Sequence, residues 1–251
     1  MVVEGSMPLD SPLYQMNPDR GAEYWNCRGV GALFTIEGDV NDLIPPGLKV
    51  SSNPGLGMVL FAEYGFSTLG PYNEFVSFIH VEDESGTSGL YVPYIYVTND
   101  AAMAAGREIL GAPKKIADIS IGTDQDVVMA SLSRPSNIKL AEIVMKPSER
   151  VPSGGLDALM PKDTPFYSRR YLPAPPGGTK VDELVKWSSE MSVHLDSFSD
   201  PIQFMGPGSL TYPAHSAIDP VHRLGVGTSL GVMYMEFDLH LRTGEVIKKY
   251  S

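Results

Sequence analysis

Two adjacent lysines, Lys114 and Lys115, follow Pro113 in residues 106–115, which read GREILGAPKK. A lysine amine attacks a carbonyl carbon to form an imine, but only in its neutral form. Burial in an apolar pocket, or a second cation nearby, favours that neutral form. Neighbouring side chains of a strand point to opposite faces, so only one of the two lysines can face a given cavity. The pair therefore indicates either one imine-forming lysine or, as the alternative, a solvated strand end.

The lysine pair is expected to open a strand that directly follows a helix. Asn99 or Asp100 is a typical helix N-cap, and the pattern predicts a helix from there to about Leu110. Gly111 and Pro113 are typical of the end of a helix. The helix and the proline after it would together set the position of the first lysine.

The remainder of the chain is dominated by short strand patterns between turns. Gly29 and Gly31 interrupt the first of them and predict a bulge or a close backbone approach. Residues 147–178 are rich in proline and glycine and show little periodicity. Many strands and one helix predict a mainly β (α+β) fold, an antiparallel barrel or sandwich. The predicted strands are residues 24–36, 58–66, 74–81, 90–97, 127–132, 138–145, 181–197, 209–212 and 230–241.

Composition limits the classes of function. The chain has 251 residues and 43% hydrophobic residues, enough for a sizeable core, and we interpret residues 1–251 as one domain. Met7 follows a Gly-Ser pair, which is typical of a leader over residues 1–6. A net charge of −11 argues against nucleic acid or an anionic membrane as partner.

The predicted location is the cytoplasm. The single cysteine, Cys27, excludes an intrachain disulfide and favours a reducing compartment. No run of 18 apolar residues predicts a membrane-spanning helix, and the N-terminus does not resemble a secretory signal. The histidines lack metal-ligand spacing, so we predict no metal site. They are His80, His194, His215, His222 and His240.

The segment GRE-x-x-G-x-PKK resembles the active-site signature of acetoacetate decarboxylases, in which the first lysine of the pair forms the imine. Further landmarks resemble the same family in the same order. They are NCR at 26–28, YNE at 72–74, YVTN at 96–99, GPGSL at 206–210 and HSAIDP at 215–220. The resemblance implies an antiparallel β-barrel or cone with a few short helices, chemistry without a cofactor, and a homo-oligomer.

The resemblance also implies roles for individual residues. Lys114 is expected to be the nucleophile, and Lys115 either a cation that tunes it or a structural anchor. Glu74 is expected to transfer protons, with Glu63 as a second acid facing the site. Arg28 is expected to contact the substrate carboxylate, its alternative being a surface ion pair.

Two further positions bear on the substrate. Tyr96 precedes the signature helix as in the family and is assigned to substrate binding. Ala112 stands where the decarboxylases usually carry a bulky aromatic residue, so the pocket is expected to admit a substrate larger than acetoacetate.

Three functions follow as hypotheses. The first is a cofactor-independent decarboxylase of a β-keto acid, a small-molecule partner bulkier than acetoacetate. It is favoured because Arg28, Glu74 and Lys114 are all retained. The second is a lysine-dependent aldolase-dehydratase acting on pyruvate-like keto acids. The third is a barrel that binds a small acid without turnover.

Overall fold

The structure is a computed structural model and describes residues 4–16, 20–155, 161 and 163–250. Within these residues, no helix has both the length and the apolar character needed to cross a membrane.

Strands make up most of the described chain. They are β1 (Glu4–Gly5), β2 (Gln15–Met16), β3 (Ala22–Thr35), β4 (Leu48–Val50), β5 (Leu56–Ser67), β6 (Tyr72–Asp83), β7 (Ser88–Tyr91), β8 (Ile95–Val97), β9 (Lys114–Ile116), β10 (Asp118–Asp124), β11 (Val127–Ser133), β12 (Lys139–Met145), β13 (Glu149–Arg150), β14 (Phe166–Pro173), β15 (Thr179–Trp187), β16 (Ser189–Val193), β17 (Gln203–Gly206), β18 (Gly208–Thr211), β19 (Ser229–Leu241) and β20 (Glu245–Lys249). The helical elements are α1 (Asp100–Ala105), a π-helical turn (Gly106–Leu110) and two 3₁₀ turns (Asn41–Leu43 and Val221–Leu224).

Two sheets build the body of the protein. In the part of the chain that is described, the larger has fourteen strands, whose main path is β13-β17-β19-β3-β5-β6-β7-β14-β15-β20. The smaller has four strands in the order β10-β11-β12-β18. Pairing is antiparallel except between β7 and β14 and between β8 and β9. The predicted mainly antiparallel β-fold is confirmed, although the path of the larger sheet has two ends and does not close into a barrel.

The central strands of the larger sheet, β3, β5 and β6, have two different faces. One face packs against the four-stranded sheet in the main core, where Val30, Phe61 and Phe75 are buried with Leu132 and Ile143. The other face lines a cavity around Lys114. Because side chains alternate along a strand, neighbours in sequence enter different environments. The register of these strands therefore decides which side chains reach Lys114.

Some predicted strands differ from the observed ones for identifiable reasons. Residues 90–97 form two strands, β7 and β8, because Pro93 has no N–H to donate to a sheet. Residues 181–197 likewise form two strands, β15 and β16. Strand β14 lies in the region where no strand was expected. Its first three residues, Phe166–Ser168, are all buried, so the sequence there shows no alternation.

The glycines of β3 also differ from expectation in part. A Cβ at Gly31 would lie 2.7 Å from the carbonyl oxygen of Val59, which confirms the predicted close backbone approach. An irregularity that Gly29 and Gly31 did not indicate lies earlier in the strand. There Asn26 has a positive φ of 53°, and the register between β3 and β19 shifts by one residue.

The predicted helix and its end are confirmed. The Asn99 side chain accepts a hydrogen bond from the N–H of Ala102 at 3.0 Å, which caps α1. The π-helical turn then ends at Gly111, whose φ of 72° lies in the left-handed region. The Ser168 hydroxyl donates to the Leu110 carbonyl at 2.5 Å, which holds this end of the helix against β14.

We expect Gly111→Ala to destabilise the fold by more than its backbone strain alone, which is about 1–2 kcal/mol. A Cβ at Gly111 would lie 2.6 Å from the backbone nitrogen and Cα of Arg170, which has little freedom to move. Gly86→Ala is the matched control, because Gly86 also has a positive φ, 86°, but open space around it. Urea unfolding of both variants measures the difference. Equal losses in the free energy of unfolding would contradict the steric argument.

Candidate active site

The centre of the site is a buried ion pair between Lys114 and Glu74. Lys114 Nζ lies 2.7 Å from Glu74 Oε2, and each side chain is only 8% exposed. Strand β8 pairs with both β6 and β9, which places the two residues on strands separated by one other. The structure thus brings together the predicted nucleophile and the predicted proton-transfer group.

Three tyrosines surround this pair. The Tyr64 hydroxyl donates to Glu74 Oε1 at 2.9 Å, and Lys114 Nζ lies 5.7 Å from the centre of the Tyr72 ring. The Tyr72 hydroxyl contacts that of Tyr24 at 3.4 Å. Burial raises the pKa of all three phenols, and the nearby charge of Glu74 adds to the effect. These phenols therefore stay neutral, and Tyr64 keeps the proton that it donates to the carboxylate.

Gly106 makes room for the nucleophile. A Cβ at this position would lie 2.6 Å from Lys114 Cδ and 2.7 Å from Cε. Any larger residue would displace the lysine side chain. The space taken by the Lys114 side chain therefore explains why the residue eight positions before it, the first of the GRE motif, is a glycine.

Lys114 and Glu74 lie in the wall of a cavity of about 350 Å³. Among the described residues that line it, they are the charged ones. Most of the remaining wall is apolar, and it includes Leu60, Phe78, Ala112, Phe166, Trp187 and Met233. Ala112 is buried and lines this cavity, as its predicted place beside the nucleophile requires.

Arg28 and Glu63 do not line this cavity, so the structure does not bring these two predicted site residues to Lys114. Arg28 lies opposite Glu63 in the register, whereas Glu74 lies opposite Ala62. Glu63 follows Ala62 directly, so its side chain points to the other face of the sheet. There Arg28 Nη2 binds Glu63 Oε2 at 2.9 Å and the carbonyl of Ile121 at 3.4 Å. The ion-pair alternative for Arg28 matches this geometry.

Lys115 and Tyr96 also lie outside the lining of the Lys114 cavity. Lys115 Nζ binds Asp219 Oδ1 at 2.9 Å, and the Tyr96 hydroxyl donates to the same oxygen at 3.3 Å. Arg134 Nε completes the cluster at 3.1 Å from Asp219 Oδ2. The reason is again alternation along the strands. Tyr96 and Lys115 form the register pair that directly follows Ile95 and Lys114, so their side chains point to the opposite face. Of the two roles predicted for Lys115, the geometry matches the structural anchor.

Sequence reasoning missed the three tyrosines. The extra residue of β3 at Asn26 breaks the alternation, so that Tyr24 and Cys27, three positions apart, are both buried. Tyr64 and Tyr72 form a register pair two positions from that of Ala62 and Glu74, which puts them on the same face of the sheet. If the predicted strands 58–66 and 74–81 had been paired antiparallel and the second extended back to residue 72, Tyr64 and Tyr72 would have been placed on the face of Glu74.

Comparison with known proteins identifies the family. A family model described as acetoacetate decarboxylase (ADC) matches residues 6–251. The chain belongs to the acetoacetate decarboxylase family.

Three proteins that are similar to this chain are distant from it in sequence. Decarboxylase DEC1 of Cochliobolus heterostrophus is 26% identical, over 92% of this chain and 89% of its own length. A structure described as acetoacetate decarboxylase superposes with a TM-score of 0.85 at 24% identity, covering 98% of this chain and 95% of the other. The enduracididine biosynthesis enzyme MppR, solved with the condensation product of pyruvate and imidazole 4-carboxaldehyde, superposes with a TM-score of 0.78 at 18% identity, covering 100% and 99% of the two chains. The two structures show that their fold is shared with this chain, and they do not show a shared substrate.

Proposed function

We propose that this protein decarboxylates a β-keto acid bulkier than acetoacetate through an imine on Lys114. The observation that carries the proposal is the buried Lys114–Glu74 pair in the wall of an apolar cavity. Membership of the acetoacetate decarboxylase family and the similarity to a protein named a decarboxylase support it.

In the proposed reaction, Lys114 and Glu74 act in successive steps. A proton passes from Lys114 Nζ to Glu74 across their hydrogen bond, and the neutral amine attacks the keto carbon. Loss of water leaves a protonated iminium, which is an electron sink. The bond to the carboxylate then breaks, carbon dioxide leaves, and the bonding electrons form an enamine. Because the first proton on Glu74 leaves in the lost water, Glu74 takes up a proton from solvent and gives it to the enamine carbon. Water then hydrolyses the iminium to release the ketone and Lys114.

Tyr64 positions Glu74 in this scheme. Its hydroxyl donates to Oε1 and leaves Oε2 directed at Lys114. A carboxylate held at one oxygen exchanges protons through the other. Tyr64 thereby orients the acid without itself touching the reacting bond.

The cavity supports the bulkier substrate. Its volume of about 350 Å³ lies in the usual range of small-molecule pockets, and its wall is apolar. Acetoacetate has only a methyl group beyond its keto carbon and would leave much of this volume unfilled. An apolar chain or ring beyond the keto carbon would gain free energy by leaving water.

A second candidate is the aldolase-dehydratase, which uses the same lysine. The position of Arg28 on the other face of the sheet favours it, because the pocket lacks the cation on which the case for decarboxylation partly depended. Carbon dioxide release from a panel of β-keto acids supports the decarboxylase. Consumption of pyruvate with an aldehyde, and no carbon dioxide from any β-keto acid, would support the aldolase.

We expect Lys114→Ala to abolish reductive trapping of a ketone by borohydride. The matched control is Lys115→Ala. In the unmodified protein the Lys115 ammonium is bound to Asp219 outside the cavity, so this variant should still form the reduced ketone adduct. Mass spectrometry of the intact, reduced protein measures the adduct. Loss of the adduct in Lys115→Ala alone would show that the imine forms on Lys115. Absence of an adduct in the unmodified protein would favour a non-catalytic binding function.

We expect Glu74→Gln to slow turnover by about 10²–10⁴-fold, the usual loss when one general acid–base group is removed. The amide keeps the shape of the side chain but cannot receive the proton of Lys114. Glu63→Gln is the control, because Glu63 forms a partly exposed ion pair outside the cavity and should leave turnover within about twofold. Steady-state kinetics on one β-keto acid compares the two. Equal rates in both variants would remove Glu74 from the mechanism.

We expect Ala112→Tyr to harm larger substrates selectively. Ala112 is buried in the cavity wall, and overfilling a packed site costs about 1–3 kcal/mol. The catalytic efficiency on acetoacetate should be spared or improved, while that on a long-chain or ring-bearing β-keto acid falls. Ala112→Gly serves as the control and should keep the preference for the larger acid. A preference for acetoacetate in the unmodified protein would contradict the argument from cavity size.

A further inference from the structure

Lys114 lies between two cavities. Besides the apolar cavity, a second cavity of about 270 Å³ reaches the same side chain. Tyr24, Leu110, Lys114 and Leu241 line both. A molecule bound at Lys114 Nζ can therefore extend in two directions.

The two cavities differ in polarity. The second includes the exposed side chains of Gln15, Arg20 and Thr68, together with the half-buried Glu23. Among the described residues that line either cavity, Arg20 is the cation other than Lys114 itself. The second cavity thus supplies the positive charge that the apolar one lacks.

The backbone at Arg20 is held in place from the strand next to it. His240 Nε2 hydrogen-bonds to the carbonyl oxygen of Arg20, and the Gly21 that follows has a φ of 70°. A Cβ at Gly21 would overlap the carbonyl oxygen of Leu241. Strand β19 therefore fixes the start of β3 at the rim of the second cavity.

A β-keto acid has an amphipathic shape that matches this arrangement. Its keto carbon, the atom that Lys114 attacks, carries an apolar group on one side and a carboxymethyl group on the other. A carboxylate in the apolar cavity would pay for desolvation and would also meet the charge of Glu74. We propose that the apolar group occupies the first cavity and that the carboxylate points into the second, where Arg20 binds it. This inference rests on the proposed imine chemistry at Lys114 and assigns to Arg20 the role expected of Arg28.

The proposal predicts which kinetic constant changes. Arg20 meets the full negative charge of the bound acid, whereas that charge leaves the carboxylate as the carbon–carbon bond breaks. The contact is therefore stronger in the bound substrate than in the transition state, and its loss should raise KM without lowering kcat. Nearby Glu23 has the opposite charge and should oppose substrate binding.

The experiment compares Arg20→Gln, Arg20→Lys and Glu23→Gln in decarboxylation of a β-keto acid with an apolar chain. We expect Arg20→Gln to raise KM about fivefold to tenfold, as suits a charge-assisted hydrogen bond at an exposed position. Arg20→Lys should retain most of the affinity, and Glu23→Gln should lower KM. Added salt should raise KM for the unmodified protein more than for Arg20→Gln. Trapping of a neutral ketone of similar length by borohydride reports the imine separately.

Two failures are distinguishable. If the unmodified protein traps no ketone, the imine on Lys114 is wrong and this inference falls with it. If the ketone is trapped but Arg20→Gln leaves KM unchanged, the assignment of Arg20 alone is overturned. A fall in ketone trapping in Arg20→Gln also overturns it, because a ketone has no carboxylate for Arg20 to bind.

Discussion

The ion pair between Lys114 and Glu74 is the interaction on which the arrangement of the site depends. Removing two charges from water is costly, and such a pair is tolerated only where its remaining hydrogen-bonding groups are satisfied. Tyr64 meets this requirement at the second carboxylate oxygen, and the Tyr72 ring lies beside the ammonium. The surrounding elements serve the same pair, since Gly106 leaves space for the lysine and β8 holds the two strands together. A buried ion pair is a poor way to gain stability, but it suits an amine that must pass its proton to a neighbour.

Alternation along the strands keeps the other charges away from this pair. Lys115 and Arg134 are bound to Asp219, and Arg28 is bound to Glu63, all outside the apolar cavity. Lys115 directly follows Lys114, and Glu63 directly precedes Tyr64, while Lys114 and Tyr64 both line the cavity. The face of the sheet that carries Arg28 and Glu63 also packs in the main core, and the opposite face lines the cavity with Glu74. The separation leaves Glu74 as the acid beside the nucleophile and favours proton transfer between these two groups.

An apolar cavity with one acid changes how an anionic substrate must bind. With Arg28 elsewhere, the charged end of a keto acid gains nothing from the main cavity. The second cavity with Arg20 resolves this difficulty by dividing the substrate between two environments at the lysine. Specificity would then depend on the size of the apolar cavity, through residues such as Ala112, separately from recognition of the carboxylate.

The sequence by itself determined the local elements and singled out Lys114 as the candidate nucleophile. The Asn99 cap, the glycine end at Gly111 and the order of the lysine pair are all encoded within residues 99–115, because capping, backbone conformation and strand alternation act over a few residues. Glu74 was also found from sequence, through its resemblance to a family motif. Local patterns do not determine which strand face meets which cavity, because that depends on pairing between distant strands. The bulge at Asn26 and the pairing of β8 with β9 decided it, by bringing Tyr24 and Lys114 to one face and sending Arg28, Glu63, Lys115 and Tyr96 to the other.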